Sequence, residues 1–418
     1  MVAVAALLSA LGVVLALNFT TAEKEVEEDI PRLYNTEDPQ FVRTMSALLG
    51  PPIVGGNRYD VLLNGDEIFP AMLQAIAQAR RSIDFETYIY WSGDIGRRFA
   101  DALSERAKAG VKVHVLIDWL GSQKIDPALI DEMTRAGVQV MRYHPLRWYD
   151  LARINNRTHR KVLVVDGRIG FTGGVGIAPE WTGHAQDAQH WRDTHFRLEG
   201  PAVAQMQAVF LDNWVKTTGE VLHGEDYFPQ LPAVGAGAAQ VFMSSPSGGS
   251  ESMHLMYLLA ITAAQRTIHL SMAYFVPDDL AVRALEAALA RGVRVEIIVP
   301  GPITDTQTVR KASRALWGPL LEAGARFYEY QPTMYHCKVM VVDGLLTSVG
   351  STNFDNRSFR LNDEANLNIY DAAFARRQIE IFEADRARSK PFTYEDWRNR
   401  PLTEKLLEDL ASILRLQL

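Results

Sequence analysis

The chain states one short pattern twice. His159-Arg160-Lys161-Val162-Leu163-Val164-Val165-Asp166-Gly167 returns 177 residues later as His336-Cys337-Lys338-Val339-Met340-Val341-Val342-Asp343-Gly344. Each copy is His-x-Lys, an apolar run, then Asp-Gly. Each leads into a small-residue turn, Thr172-Gly173-Gly174 and Val349-Gly350-Ser351. One copy would be weak evidence, whereas two in matching contexts restrict the chain to folds built by duplication.

The repeat extends beyond the motifs. Residues 75–83 parallel 260–268, each a helix end running into a strand. In both halves a second helix follows (95–109 and 280–291) and stops at Gly110-Val111 or Gly292-Val293, a C-cap signal. Another strand comes next (112–118 and 294–299), then a helix ending at Ala136-Gly137 or Ala323-Gly324. Strands alternating with helices predict an α/β fold of two pseudo-symmetric sandwich domains, each with a largely parallel sheet. The expected organisation is a hydrophobic segment (1–19), a lead-in (20–57), a first domain (58–230), a Pro/Gly/Ala-rich linker (231–239) and a second domain (240–418). The last helix, 403–416, carries Leu406, Leu407, Leu410, Ile413 and Leu414 on one face, a stripe expected to pack on the body.

With 418 residues, two domains can each bury a core. A net charge of -7 argues against nucleic acid as a partner, which normally needs a basic face. The one cysteine, Cys337, excludes an intrachain disulfide. Residues 2–17 are apolar apart from Ser9 and Gly12, near the lower limit for a membrane span and compatible with a signal-peptide core. The preferred reading is an uncleaved single N-terminal anchor in a bacterial inner membrane, with its orientation and the oligomeric state left open.

Along a strand, side chains alternate faces, so His336 and Lys338 point one way while Cys337 turns inward, and His159 and Lys161 share a face likewise. Two halves related by a pseudo-twofold axis bring both pairs to one pocket. Phosphodiester cleavage by double displacement needs a nucleophile, a proton donor and cations for the phosphoryl charge. Two His and two Lys supply these with neither metal nor cofactor. His184, His190 and His195, with Asp187 and Asp193, fit no common zinc spacing and are expected to rim the pocket. Asp166 and Asp343 end strands at a turn and read as mainly structural.

These motifs resemble the phospholipase D superfamily, which carries paired His-x-Lys-x4-Asp motifs on a duplicated α/β fold. The likeness to its bacterial cardiolipin synthases covers most of residues 57–418. It includes Phe85-Glu86-Thr87-Tyr88-Ile89-Tyr90, Trp191-Arg192-Asp193-Thr194-His195 and Asn353-Phe354-Asp355-Asn356-Arg357-Ser358. The resemblance implies that one histidine, with His159 preferred, becomes a phosphohistidine, while His336 serves as acid and then base. Lys161, Lys338 and Asn353 would hold the phosphate. Asn353 lies seventeen residues after His336, in Gly350-Ser351-Thr352-Asn353, and Glu364 lies twenty-eight after it, where the family orients its histidine. The first half departs. Gly176 stands where Asn is expected, so backbone N–H groups of the turn containing Gly174 and Gly176 are offered as the substitute phosphate site. Asp193, beyond an insertion spanning 179–191, is the acidic counterpart.

The implied activity is phosphatidyl transfer at a membrane, from one phosphatidylglycerol to another, giving cardiolipin and glycerol. A phospholipase D hydrolase shares the covalent intermediate and is the alternative. A nuclease and a non-catalytic lipid-binding protein are the remaining readings.

Overall fold

The computed structural model describes residues 9, 12, 13, 26–145, 155–246 and 251–413. The first half contributes β1 (Val54–Leu63), β2 (Ser82–Thr87), β3 (Lys112–Asp118), β4 (Gln139–Tyr143), β5 (Arg157–Thr158), β6 (Val162–Val165), β7 (Ile169–Gly173) and β8 (Thr194–Glu199). The second contributes β9 (Gly237–Ser244), β10 (Thr267–Met272), β11 (Phe275–Val276), β12 (Arg294–Pro300), β13 (Arg326–Tyr330) and β14 (Lys338–Val342). It continues with β15 (Leu346–Gly350), β16 (Phe354–Asp355), β17 (Asn362–Tyr370) and β18 (Ser389–Phe392).

The halves share one sheet. Its order is β18-β13-β12-β10-β14-β15-β17-β9-β1-β8-β7-β6-β2-β3-β4, with β5 pairing β17 from the side. The β1–β9 pair is the seam, and the stretch read as a linker ends inside β9. Helices cover both faces, and the apolar residues under them form separate cores for the outer part of each half and for the middle of the sheet.

The expected α/β duplication is present, but each half is mixed rather than largely parallel. β2, β3 and β4 are parallel, as are β10, β12 and β13, whereas the motif strands β6 and β14 run antiparallel to β2 and β10. The physical reason lies in the motif itself. Asp166 and Gly167 have φ of 54° and 61°, and Asp343 and Gly344 have 55° and 66°. Two consecutive left-handed residues make a tight hairpin that sends the chain straight back as β7 or β15.

Two further expectations are corrected. The inner-membrane location by a single N-terminal anchor does not stand, because among the described residues no helix is long and apolar enough to cross a membrane. Sixteen residues at about 1.5 Å each reach about 24 Å, short of a hydrocarbon core of about 30 Å. Most of that apolar stretch lies outside the described residues. The C-terminal helix, Leu402–Ser412, does not bury its leucine stripe. Leu406 is 62% exposed and Leu410 is 53% exposed, while Glu408 and Ala411 face the body.

Candidate active site

The two histidines lie in extended chain just ahead of β6 and β14, and both line one cavity of about 280 Å³. Lys161, Asn353, Tyr88, Trp181, Trp191, Tyr274, Asp305 and Arg357 are also on its wall. The alternation expected of the motifs holds. Arg160, between His159 and Lys161, is fully buried against Asp212 and the carbonyls of Val209 and Ser244. Cys337 is buried in the same way, and burial pushes its thiol up to about 12. The thiol is therefore a packing group.

Each lysine is held by the backbone of its own motif. Lys161 Nζ donates to the His159 carbonyl at 2.7 Å, and Lys338 Nζ to the His336 carbonyl at 2.8 Å. Lys338 Nζ also lies 3.2 Å from His336 Nε2. Both ammonium groups are nearly shut off from water. Burial brings Lys161 down to about 7, opposed by the Glu364 carboxylate and reinforced by Lys338. Burial also lowers Lys338.

The orienting carboxylates cross between the halves. His159 Nδ1 bonds the Glu364 carboxylate at 2.9 and 3.0 Å, and His336 Nδ1 bonds Asp193 Oδ2 at 2.7 Å. This corrects the placement of Glu364, which spacing had grouped with His336. The backbone makes the exchange possible. β5 pairs with the start of β17, where His159 N–H donates to the Asp363 carbonyl; Arg192 bridges to Tyr335, and His336 N–H donates to the Arg192 carbonyl. Each half thus lays its acidic strand beside the other half's histidine. A carboxylate only accepts, so each Nδ1 carries the proton and each Nε2 is left for chemistry. Burial lowers His159 to about 4 against the pull of Glu364, and burial with the Lys338 charge lowers His336. Glu364 and Asp193 are both held low by their histidines despite burial.

The turns behind the acids differ. Ser351 Oγ donates to Glu364 Oε2. At the equivalent Gly174, a Cβ would lie 2.3 Å from Asp193 Oδ1, so the carboxylate occupies the space a side chain would need. Gly174 N–H donates to the Thr194 carbonyl. Gly176 faces Ile89 and Trp181, where a Cβ would meet Ile89 Cβ at 2.9 Å. Neither glycine is on the cavity wall, and the Gly174 N–H is already taken up by the Thr194 carbonyl rather than turned to the cavity. Trp181, from the insertion, stands there instead. Its Nε1 donates to Asp193 Oδ2 at 2.9 Å, and the rings of Trp181 and Trp191 lie 5.3 and 5.4 Å from His336. In the second half Asn353 lines the cavity.

Asp166 and Asp343 lie away from this cavity. Asp166 accepts backbone N–H groups of Arg80, Arg81 and Ser82, and Asp343 those of Gln265, Arg266 and Thr267. Each pins its hairpin to the start of the neighbouring strand, the structural reading made from sequence. His184 and His190 are bonded to Asp66 and Asp187 at the surface, and His195 is buried beside Gly173. Among the described residues, the grouping with donor atoms close enough for a metal is His269, Glu296 and Glu383. There Glu296 already pairs with Arg294 at 3.1 Å and Arg386 at 3.4 Å, which fits an ion-pair network better than a cation site.

Sequence reasoning missed most of the wall. Tyr88 stands 5.4 Å from the His159 ring, with Lys161 Nζ 5.5 Å from its own ring centre. Its place at the end of the first core strand leaves its approach to the site open from sequence alone. Tyr274 lies in the stretch Tyr274-Phe275-Val276-Pro277-Asp278, which shares the family likeness, whereas Asp305 carries no motif signal. Behind His159, Glu86 accepts from Thr158 Oγ1 and Asn213, and burial pushes it up to about 7.

Comparison with known proteins converges on the same family. The family description "Cardiolipin synthase, PLD-like domain" matches residues 72–214 and 257–386, one stretch around each motif. A cardiolipin synthase of Geobacillus sp. (strain WCH70) is 37% identical over 357 residues, covering 85% of this chain and 71% of that protein. The chain belongs to the phospholipase D-like family, with the bacterial cardiolipin synthases. A second such synthase, from Geobacillus thermodenitrificans, is 36% identical over 366 residues, 87% of this chain and 73% of its own length. Among solved structures, phosphatidylserine synthase of Haemophilus influenzae superposes with a TM-score of 0.71. It covers 91% of this chain and all of that one at 16% identity, a likeness of fold. This family member is an enzyme of the phosphodiesterase and phosphotransferase type.

Proposed function

We propose that the protein transfers a phosphatidyl group between phospholipids, from one phosphatidylglycerol to the glycerol hydroxyl of another. The observation carrying this reading is one cavity with two buried imidazoles, each held through Nδ1 by a carboxylate from the other half and flanked by lysine. His159 Nε2, neutral at pH 7, attacks phosphorus. The bond from phosphorus to the glycerol headgroup oxygen breaks, and His336 Nε2 gives that oxygen its proton as glycerol leaves. A second phosphatidylglycerol then brings its terminal hydroxyl to His336, which takes the proton while the oxygen displaces His159. Cardiolipin is released and both imidazoles are restored.

The lysines suit the phosphoryl charge in both steps. An anionic phosphodiester offsets the ammonium beside His336, so substrate binding itself favours the protonated imidazole that the first step needs. Lys161, only partly charged at pH 7 in the empty site, takes up a full charge on the same event. The Trp181 and Trp191 rings keep water from His336, which favours an alcohol over hydrolysis in the second step.

The deciding experiment incubates pure protein with phosphatidylglycerol and identifies the products. Cardiolipin with glycerol in equal amounts is expected. Phosphatidic acid without cardiolipin would reject transfer in favour of hydrolysis. Enzyme denatured in neutral detergent during turnover should carry a phosphatidyl group on His159, read by mass spectrometry; the group on His336 would reverse the assignment.

A further inference from the structure

The helix Leu402–Ser412 is mounted inside out. Its buried contacts are Glu408 and Ala411; Glu408 pairs with Arg400 and, at 3.6 Å, with Arg314. Leu402, Leu406, Leu407, Leu410 and Ile413 face outward, between 49% and 82% exposed. Scattered exposed leucines are ordinary, but these five fall within about 140° of one helical arc and form a continuous stripe. A helix held to the body by an ion pair, with its aliphatic face turned out, has a surface built for contact.

The helix that carries the stripe is joined through its buried face to the wall of the active cavity. Arg314, which holds Glu408, belongs to the helix Gln307–Ala315. The opposite end of that short helix rims the cavity, with Asp305, Thr306 and Val309 on the wall. At about 280 Å³ the cavity is below the usual size for a drug-sized ligand. It takes a phosphate and a glycerol headgroup and leaves no room for two acyl chains. When a phospholipid's phosphorus reaches His159, its chains therefore lie outside the rim.

We propose that the outward face of Leu402–Ser412 is an interfacial docking surface that rests on a phospholipid layer and presents the cavity mouth to it. The inference rests on the phosphatidyl-transfer reading for the identity of the substrate. The helix spans nothing, since 11 residues rise only about 16 Å. It lies in the plane of the interface with its leucines among the upper acyl carbons. Charges of both signs, Glu404, Lys405 and Asp409, share the helix, so apolar insertion rather than attraction to anionic lipid drives the contact. Added salt should change the binding little.

The test compares the full chain with a variant carrying Leu406→Ser, Leu410→Ser and Ile413→Ser. Their side chains are exposed, so the fold should survive. Flotation with vesicles of equal phosphatidylglycerol and phosphatidylcholine reads docking, and turnover of monomeric dihexanoyl-phosphatidylglycerol reads chemistry. The variant should float at least tenfold less and lose activity on vesicles to match, while its activity on the monomeric lipid stays within twofold. A separate Leu410→Trp variant should shift its fluorescence to the blue on the same vesicles. Flotation equal to wild type would overturn the proposal. So would a silent tryptophan together with a serine variant that has merely lost a dimer in sedimentation, which would assign the stripe to a second copy. If wild type floats through the stripe but turns over neither lipid, the docking surface stands and the transfer reading falls.

Discussion

The surroundings of His159 and His336 were built from one duplicated pattern and have come to differ in what presses on each ring. His159 faces Tyr88, and its acid, Glu364, is steadied by Ser351. His336 sits against two tryptophans, and its acid, Asp193, takes the Trp181 indole and lies over Gly174. The charge behind each motif differs as well. Arg160 is carried inside the first His-x-Lys, whereas the second has Cys337 there and borrows Arg192 from the other half, paired with Asp385 at 2.9 Å. The lesson is that the duplication preserved the reacting atoms and their carboxylates while the supports were replaced. In the proposed transfer, the aromatic side serves the histidine that activates the acceptor alcohol, and the Tyr88 side serves the nucleophile.

The largest effect should come from the histidines themselves. His159→Ala and His336→Ala should each lower turnover of phosphatidylglycerol by about 10⁴-fold, since neither ring can take over the other's step. They should part when the leaving group no longer needs a proton. A p-nitrophenyl phosphodiester should still label His336→Ala with covalent phosphate and never label His159→Ala. Equal labelling would erase the proposed division of labour.

Next come the crossed acids. Glu364→Gln and Asp193→Asn should each cost on the order of 10³-fold, because an amide no longer fixes the Nδ1–H tautomer. The p-nitrophenyl substrate should rescue Asp193→Asn and not Glu364→Gln. The opposite pattern would show that each acid serves the histidine of its own half.

A smaller difference separates the turns. Gly174→Ala drives a methyl into the Asp193 carboxylate and should reduce activity by roughly a hundredfold, chiefly in kcat. Ser351→Ala removes the buried hydroxyl that donates to Glu364 and accepts from the Ala365 N–H, and should cost about 1–3 kcal/mol in stability by denaturant melt, with a milder loss of rate. Similar losses for both would mean that the turns are interchangeable.

The smallest effect is in pH. Lys161 titrates at about 7 in the empty site, so the fraction charged falls as pH rises through that value. KM for phosphatidylglycerol should rise several-fold from about pH 6 to about pH 9. Lys161→Met should start with a high KM and show a flatter profile. Folding responds with the opposite sign. Because the folded pKa lies below the unfolded one, the unfolded chain binds more protons between them, and stability rises with pH across that window.

Much of this was readable in the chain. Paired His-x-Lys patterns and their parallel flanks gave the duplicated α/β architecture, the four central side chains, Asn353 and both acids. Spacing could not reveal which acid serves which histidine, because those hydrogen bonds join residues 205 and 143 positions apart. A count taken forward from each motif assigns the acid to the wrong half. The mixed sheet was legible in principle, since Asp-Gly after a strand is a hairpin signal, but strand-helix alternation outweighed it. Trp181 escaped because its role depends on Gly176 lacking a side chain, a pairing that only packing shows. The inverted C-terminal helix escaped because an apolar stripe normally turns inward, and here one buried ion pair decides otherwise.

The crossed acids also bear on how the protein comes to life on the ribosome. The first histidine is synthesised long before Glu364, and by the time the second emerges Asp193 is already waiting for it. Through most of translation the nascent chain therefore holds an unaimed imidazole beside an ammonium and has no competent catalyst. Activity switches on late, when β17 closes against β9 and delivers Glu364 across the seam. A truncated product ending before that strand is released inert, and two separately made halves would regain function only by rebuilding the seam between them.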